Sequence, residues 1–263
     1  MEEWGVSCGR RQSKATPAQI LIKTKPLVEK FLIPKSLISL RHNSIYNQID
    51  YLRLLVHTAI NNNYAEGSSK QWELENEIGG PTGESLLYHI KKKTPCDLES
   101  IFDGITDELI ALAKKQGGIG KKVDVAIDFT HDLYYGDKHD PMVVPTQPQR
   151  GTSRAYKYAT LNIVEHGQRF TLKTLAVDSD TPTKQVVTEL IVYAKRLVNI
   201  NHVLVDRGFY SVDVISALKK LDCKYLMPAV HTGKVVKLLR MHNPMTSVRY
   251  KIGSGSKSTF TNL

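Results

Sequence analysis

The sequence predicts an α/β protein: a helical N-terminal region followed by a mixed sheet with flanking helices. Three observations carry this. Apolar residues recur at spacings of three and four through residues 44–112, the period changes to two at Val123, and the segments that follow run in the order β-β-β-α-β-α-β. The expected division is residues 1–120, helical, and residues 121–263, carrying the sheet.

Residues 1–20 show no period, and Arg10, Arg11 and Lys14 make a basic, loosely ordered start. From Ser44, a plausible N-cap, Ile45, Ile49, Leu52, Val56 and Ile60 describe an amphipathic helix ended by the asparagines at 61–63. A second helix is expected from Lys70 to Ile78. After a glycine-rich turn, Thr82 or Ser85 caps a third, with Leu86, Leu87 and Ile90 inward, lysines at 91–93 at its end and Pro95 stopping it. Three short helices in this order have the outline of a helix-turn-helix, so Lys91, Lys92 and Lys93 are candidate DNA contacts; complementing a helix C-terminus is the plainer reading. A fourth helix is expected from Asp97, burying Leu98, Ile101, Phe102, Ile105, Leu109 and Leu112. The glycine run at 117–122 lacks the spacing of a phosphate loop and precedes a strand, so it reads as a linker.

In residues 123–130, Val123, Val125, Ile127 and Phe129 alternate with Asp124, Ala126, Asp128 and Thr130, the pattern of a strand with one buried face that delivers Asp128 at its C-terminal end. About eighty residues on, Val203 and Val205 alternate with Leu204 and Asp206, and Gly208 breaks the strand. Two acids on neighbouring strand ends can share divalent cations that clamp the attacking and leaving oxygens of a phosphodiester. An Asp ending a strand is also a common turn-former or helix cap, and both readings stay open here. Between them, residues 133–154 hold Pro141, Pro145, Pro148 and Gly151 and read as a long irregular loop. His131 reads as a neighbour of Asp128 or a loop residue. Residues 155–165 and 169–178 form a hairpin. Thr181 and Pro182 start a helix burying Val186, Leu190, Ala194 and Leu197. Ser211 caps a helix with Ile215, Leu218 and Leu221 inward, residues 224–230 form a last strand, and residues 253–258 a turn or flexible segment.

The run Asp128, Phe129, Thr130 with Tyr134, Tyr135 and Gly136 downstream, and the run from Val205 through Asp206, Arg207, Gly208, Phe209 and Tyr210 to Ser211, resemble the first and second acidic blocks of DDE-class insertion-sequence transposases, in the branch named for insertion sequence four. The resemblance covers residues 120–230, and the second run is its specific part. It implies an RNase-H-like catalytic domain in which two Asp and one Glu hold two Mg²⁺ (or Mn²⁺) ions for DNA cleavage and strand transfer. Asp128 and Asp206 would be the catalytic, metal-binding pair, and Arg207 and Lys157 are candidate phosphate contacts, a structural ion pair being the plainer role for each. The resemblance departs at the third acid: Glu189 is the last Glu and precedes Asp206, and only Asp213 and Asp222 follow it. The expectation is a transposase fragment ending before its catalytic Glu, or a DNA-binding protein derived from a transposase and inactive in catalysis. An RNase-H-like housekeeping nuclease is a third reading, fitted less well by the helical N-terminal region.

Composition agrees with these classes. The chain has 263 residues, 41% hydrophobic and 24% charged, as globular chains do. Its net charge of +10 suggests a polyanionic partner, and +8 of it falls within residues 207–263, where Lys234, Lys237 and Arg240 are further candidate DNA contacts. Double-stranded DNA, as element ends and target, is the expected partner, with a homodimer as a candidate assembly and no membrane. No apolar run reaches spanning length and the start lacks the layout of a secretion signal, so a cytoplasmic protein is expected. Cys8, Cys96 and Cys223 support neither a disulfide framework nor a zinc site.

Overall fold

The computed structural model describes residues 38–77, 79–137, 139–165, 168–241, 247–254 and 257–262, with Pro26 and Lys30 as isolated positions. Arg10, Arg11, Lys14 and Cys8, and the hairpin turn at His166 and Gly167, lie outside the described residues. The chain divides into two compact units, residues 1–93 and residues 94–263. The glycine run at 117–122 falls within the second.

The first unit holds α1 (Gln48–Asn61), α2 (Ala65–Asn76) and α3 (Gly83–Ile90). Asn47, not Ser44, caps α1. Its side chain accepts from the amides of Ile49 and Asp50 at 2.8 and 3.2 Å, and its own amide donates to Asp50 Oδ2 at 3.0 Å. Because the helix starts later than Ser44, its buried stripe rotates. Tyr51 and Leu54 pack with Ile38 and Leu86, whereas Ile45 and Ile60 are 92% and 70% exposed. Tyr51 can take an inward position because its hydroxyl meets Ser85 Oγ at 2.6 Å. Asn62, at φ 47°, ends the helix in the left-handed region that asparagine tolerates. Helix α2 begins five residues before the expected Lys70. Thr82 caps α3 by accepting from Ser85 N at 3.1 Å, and Leu86 is inward while Leu87 is exposed.

The second unit opens with α4 (Pro95–Lys115), whose Thr94 and Asp97 form a reciprocal cap with Pro95 as the first helical residue. Pro95 thus starts α4; α3 has ended at Ile90. Ile105 and Ile110 are buried, and Phe102 and Leu109 are exposed. The expected apolar stripe fails because acids take part of the inward face. Asp103 pairs with the buried Lys173 at 2.7 Å, Glu99 Oε1 accepts from Ala176 N at 3.2 Å, and Asp107 accepts from Tyr193 Oη at 2.8 Å.

The sheet comprises β1 (Val123–Leu133), β2 (Val143–Gln149), β3 (Thr152–Glu165), β4 (Gln168–Val177), β5 (Ile200–Val205) and β6 (Tyr225–Leu226). Antiparallel β3 lies beside β1 and pairs on its other edge with β2 and then β4; parallel β5 and β6 lie beyond β1. The parallel neighbours are reached through helices α5 (Thr183–Leu197) and α6 (Val212–Lys220), because a parallel crossover needs a helix-length connection. This mixed sheet flanked by helices is the RNase-H-like arrangement expected from the element order. Val123, Val125 and Ile127 of β1, Leu161 and Ile163 of β3 and Val203 of β5 pack with Val187, Leu190 and Ile191 of α5 and with Leu218 of α6 in one core.

Several loops resolve differently from expectation. Residues 133–154 contain β2, and a two-residue turn joins it to β3 through Arg150 at φ 48° and Gly151 at φ 87°, the paired positive angles of a tight hairpin. Pro145 and Pro148 are accommodated because β2 is an edge strand. Thr181 does not cap α5; its amide and hydroxyl donate to Asp178 Oδ1 at 2.7 and 2.6 Å, and Pro182 holds the cap position. The expected strand at 224–230 shortens to β6. Beyond it lie α7 (Gly233–Met241) and the hairpin of β7 (Arg249–Ser254) and β8 (Lys257–Asn262), where a turn or flexible segment was expected. Among the described residues, no helix is long and apolar enough to cross a membrane.

Candidate metal centre and nucleic-acid interface

Asp128 lies on β1, and Asp206 is the residue that follows β5, the parallel neighbour of β1. The register pairs Ala126 with Leu204 and Ile127 with Val205, so the next position on each strand is an acid. Ile127 and Val205 are buried in the core, so alternation turns both acids to the opposite face, where both are exposed. Asp206 keeps an extended backbone, φ −78° and ψ 179°, and stays in line with its strand. Adjacent strands run about 4.8 Å apart, so the backbone positions that carry the two acids are neighbours.

The two positions differ in one respect from the sequence reading. Asp128 does not end its strand: β1 continues to Leu133 against β3, with Phe129 facing Ala159 and Leu133 facing Ala155. What ends there is the parallel partner, since β5 stops at Val205. Beyond that point one side of β1 is open, and the acids line the opening.

The residues around Asp206 each have a local reason. Asp206 caps a short 3-10 turn (Arg207–Phe209), accepting from Gly208 N at 2.9 Å, so the plainer cap reading is also true of it. A Cβ at Gly208 would lie 3.1 Å from that same carboxylate oxygen. Phe209 is buried and stacks on Phe129, ring centroids 4.7 Å apart and planes 12° off parallel. The stack ties the turn after Asp206 to the residue after Asp128. Ser211 then caps α6, accepting from Val214 N at 3.3 Å. The sequence reading named Phe209 only within the run after Asp206, and missed its part as the stacking partner of Phe129.

Each acid has one oxygen engaged by a nearby backbone amide, Asp128 Oδ1 by Phe129 N at 2.8 Å and Asp206 Oδ1 by Gly208 N at 2.9 Å. The second oxygens remain available as hard donors, the type that Mg²⁺ takes while keeping several waters. In donor type, two such oxygens suit one Mg²⁺. Among the described residues, no group of three or more His, Cys, Asp or Glu gathers into a metal site.

Other candidates fall elsewhere. Lys157 sits on the core-side face, its ammonium 3.8 Å over the Phe129 ring, where burial lowers its pKa. His131 shares the parity of Ile127 and Phe129, so it points away from the face that carries Asp128. Arg207 is exposed beside Asp206, and Lys234, Lys237 and Arg240 are exposed at three-residue spacing along α7. In the first unit Lys91 follows α3, Lys92 lies 3.7 Å over the Tyr88 ring and Lys93 donates to Ser39 Oγ at 3.4 Å.

On the acids' face of the sheet, Asp124 of β1 meets His202 of β5, with 3.0 Å between Oδ1 and Nδ1, and accepts from Asn201 Nδ2 at 2.9 Å and His202 N at 3.1 Å. Burial alone would raise its pKa, but these hydrogen bonds outweigh it and hold the carboxyl below its ordinary value. The bridge clamps the two strands four residues before the acidic pair.

No protein-family model matches the chain, and no curated protein sequence matches it. Solved structures similar to it include the simian T-cell lymphotropic virus intasome in complex with PP2A regulatory subunit B56 gamma, at 13% identity over 61% of this chain, TM-score 0.28. The Mos1 strand transfer complex matches at 12% identity over 75% of this chain, TM-score 0.23. The Mos1 transposase paired-end complex with left transposon end does so at 12% and 75%, TM-score 0.25. The chain spans 48%, 63% and 64% of those three chains respectively.

Proposed function

We propose that the chain is a DDE-type transposase of the branch named for insertion sequence four, acting on DNA phosphodiesters at a site built from Asp128 and Asp206. The observation that carries this reading is the β1–β5 register, which pairs Ile127 with Val205, the residues directly before the two motif acids, in an RNase-H-like sheet. The basic excess after Asp206 supports it, because a polyanionic strand must be drawn to a site that itself holds carboxylates. Asp128 and Asp206 would hold Mg²⁺ or Mn²⁺, which when bound activates an attacking oxygen and stabilises the leaving one. The residues of this chain contribute the two carboxylates, the Phe129–Phe209 stack that fixes their separation, and exposed cations to orient the strand.

A second reading, DNA binding without catalysis, is favoured because among the described residues no group of three or more such ligands gathers at a metal site. One experiment separates them: a Mn²⁺-dependent nicking assay on supercoiled DNA, run with binding measured in parallel. Nicking abolished by Asp128→Asn and by Asp206→Asn, with DNA binding retained, supports the transposase reading. Binding without nicking in the unaltered chain selects the second.

A further inference from the structure

A cleft of about 770 Å³ opens beside Arg207, in the size range of small-ligand sites. Its walls come from the turn after β5, from α6, from β6 and the segment after it, and from α7, β7 and β8. Arg207, Lys219, Lys224, His231 and Arg249 line it, and among the described residues no carboxylate does. The nearest acids in sequence, Asp206, Asp213 and Asp222, are all absent from its walls. Among the described residues, Arg207 and Lys224 make no ion pair. Into the same wall is set Tyr210, whose hydroxyl is buried without a hydrogen-bond partner. A buried hydroxyl lacking a partner is unfavourable, so its position suits a ligand that accepts. Cations, an unmatched donor and no acid together describe an anion site.

We propose that this cleft binds a phosphodiester of a single DNA strand, with Arg207 and Lys224 on the phosphate oxygens and the Tyr210 hydroxyl donating to one of them. The inference rests on the reading of Asp128 and Asp206 given above. Arg207 directly follows Asp206 in the chain, so a strand held here continues to the acids. The cleft supplies affinity and register, and the acids supply the chemistry. Met227 and the exposed Leu226 give the lining an apolar part that suits the sugar and base that accompany such a phosphate.

The test is anisotropy of a labelled oligothymidylate without divalent cation, so that a failure of the acidic site leaves the measurement intact. Each lost phosphate contact lowers the slope of log affinity against log salt by about 0.7 on a single strand. Arg207→Glu with Lys224→Glu should lower it by about 1.4, and Tyr210→Phe should weaken binding several-fold with the slope unchanged, since no charge is lost. Lys184→Glu, an exposed charge on α5, should do neither. Circular dichroism establishes that each variant is folded. The proposal is overturned if the double variant binds as the parent does, if Lys184→Glu has the same effect, if the parent binds no oligothymidylate at low salt, or if polyglutamate of equal charge competes as well as the oligonucleotide. Failure of the catalytic reading would show instead in the nicking assay, with these slopes unaltered.

Discussion

Gly83 sits where the start of α3 approaches the start of α2. A Cβ there would lie 2.3 Å from Glu66 N and 2.4 Å from the carbonyl carbon of Ala65, both backbone atoms that cannot rotate away. Gly83→Ala should therefore destabilise the first unit by about 1–3 kcal/mol, the usual cost of overpacking. Gly233, with nothing within 4 Å of its added Cβ, is the control, and Gly233→Ala should stay within about 0.5 kcal/mol. Urea unfolding read by far-UV circular dichroism measures both. In the second unit, Phe209 is 1% exposed and supports Asp206 through its stack on Phe129. Phe209→Ala should cost about 3–5 kcal/mol. Phe209→Leu should retain much of the stability and still weaken Mn²⁺ binding, because what it loses is the aromatic stack. Equal Mn²⁺ affinity in the Leu variant would show that the stack does not position the acid.

Helix α4 belongs to the sheet. Its acids meet Lys173, Tyr193 and the backbone of β4, and its Ile110 joins the main core. A polypeptide begun at residue 121 would expose that surface and leave Lys173, 7% exposed, without Asp103. Such a piece should aggregate or unfold at lower temperature than one begun at residue 94, a difference that thermal denaturation reads directly. Within the sheet, the bridge from Asp124 to His202 joins β1 to β5. A carboxyl whose folded pKa lies below its unfolded one adds stability that is present above the ordinary value of 3.8 and disappears as pH falls through the lowered value. Both partners are more than one third exposed, so solvent reduces the effect. Melting temperature against pH should drop more steeply below about pH 4 in the parent than in Asp124→Asn. Parallel profiles would show that the bridge adds nothing to the fold.

At the scale of the whole molecule, charge distribution governs. The net charge is +10, and residues 207–263 carry +8 of it. DNA affinity should fall steeply as salt rises, because each neutralised phosphate releases counterions. Reversing Lys234, Lys237 and Arg240 to Glu should flatten that dependence by two to three contacts, roughly 2–3 units of slope on duplex DNA. A slope unchanged by the triple reversal would place the duplex elsewhere, for instance on Lys91 to Lys93 of the first unit.

By itself the sequence determined what depends on local periodicity. The alternation through residues 123–130, the hairpin of β3 and β4, helix α5 and the Ser211 cap were all legible, because strand alternation and helix capping are written within a few residues. The two strands that lead to Asp128 and Asp206 were legible for the same reason, as alternating apolar runs; that β1 continues past Asp128 was not. The tertiary structure decided what depends on partners distant in sequence. It turned the α1 stripe toward Tyr51 and Leu54, since Ser85 lies 34 residues from the Tyr51 hydroxyl that it satisfies. It assigned the acids of α4 to a buried lysine 70 residues away, so an apolar-stripe reading of that helix could not hold. It made a strand of β2 by offering the free edge of β3, and it matched Ile127 to Val205, a pairing that no local pattern encodes. Those are the residues directly before the two acids.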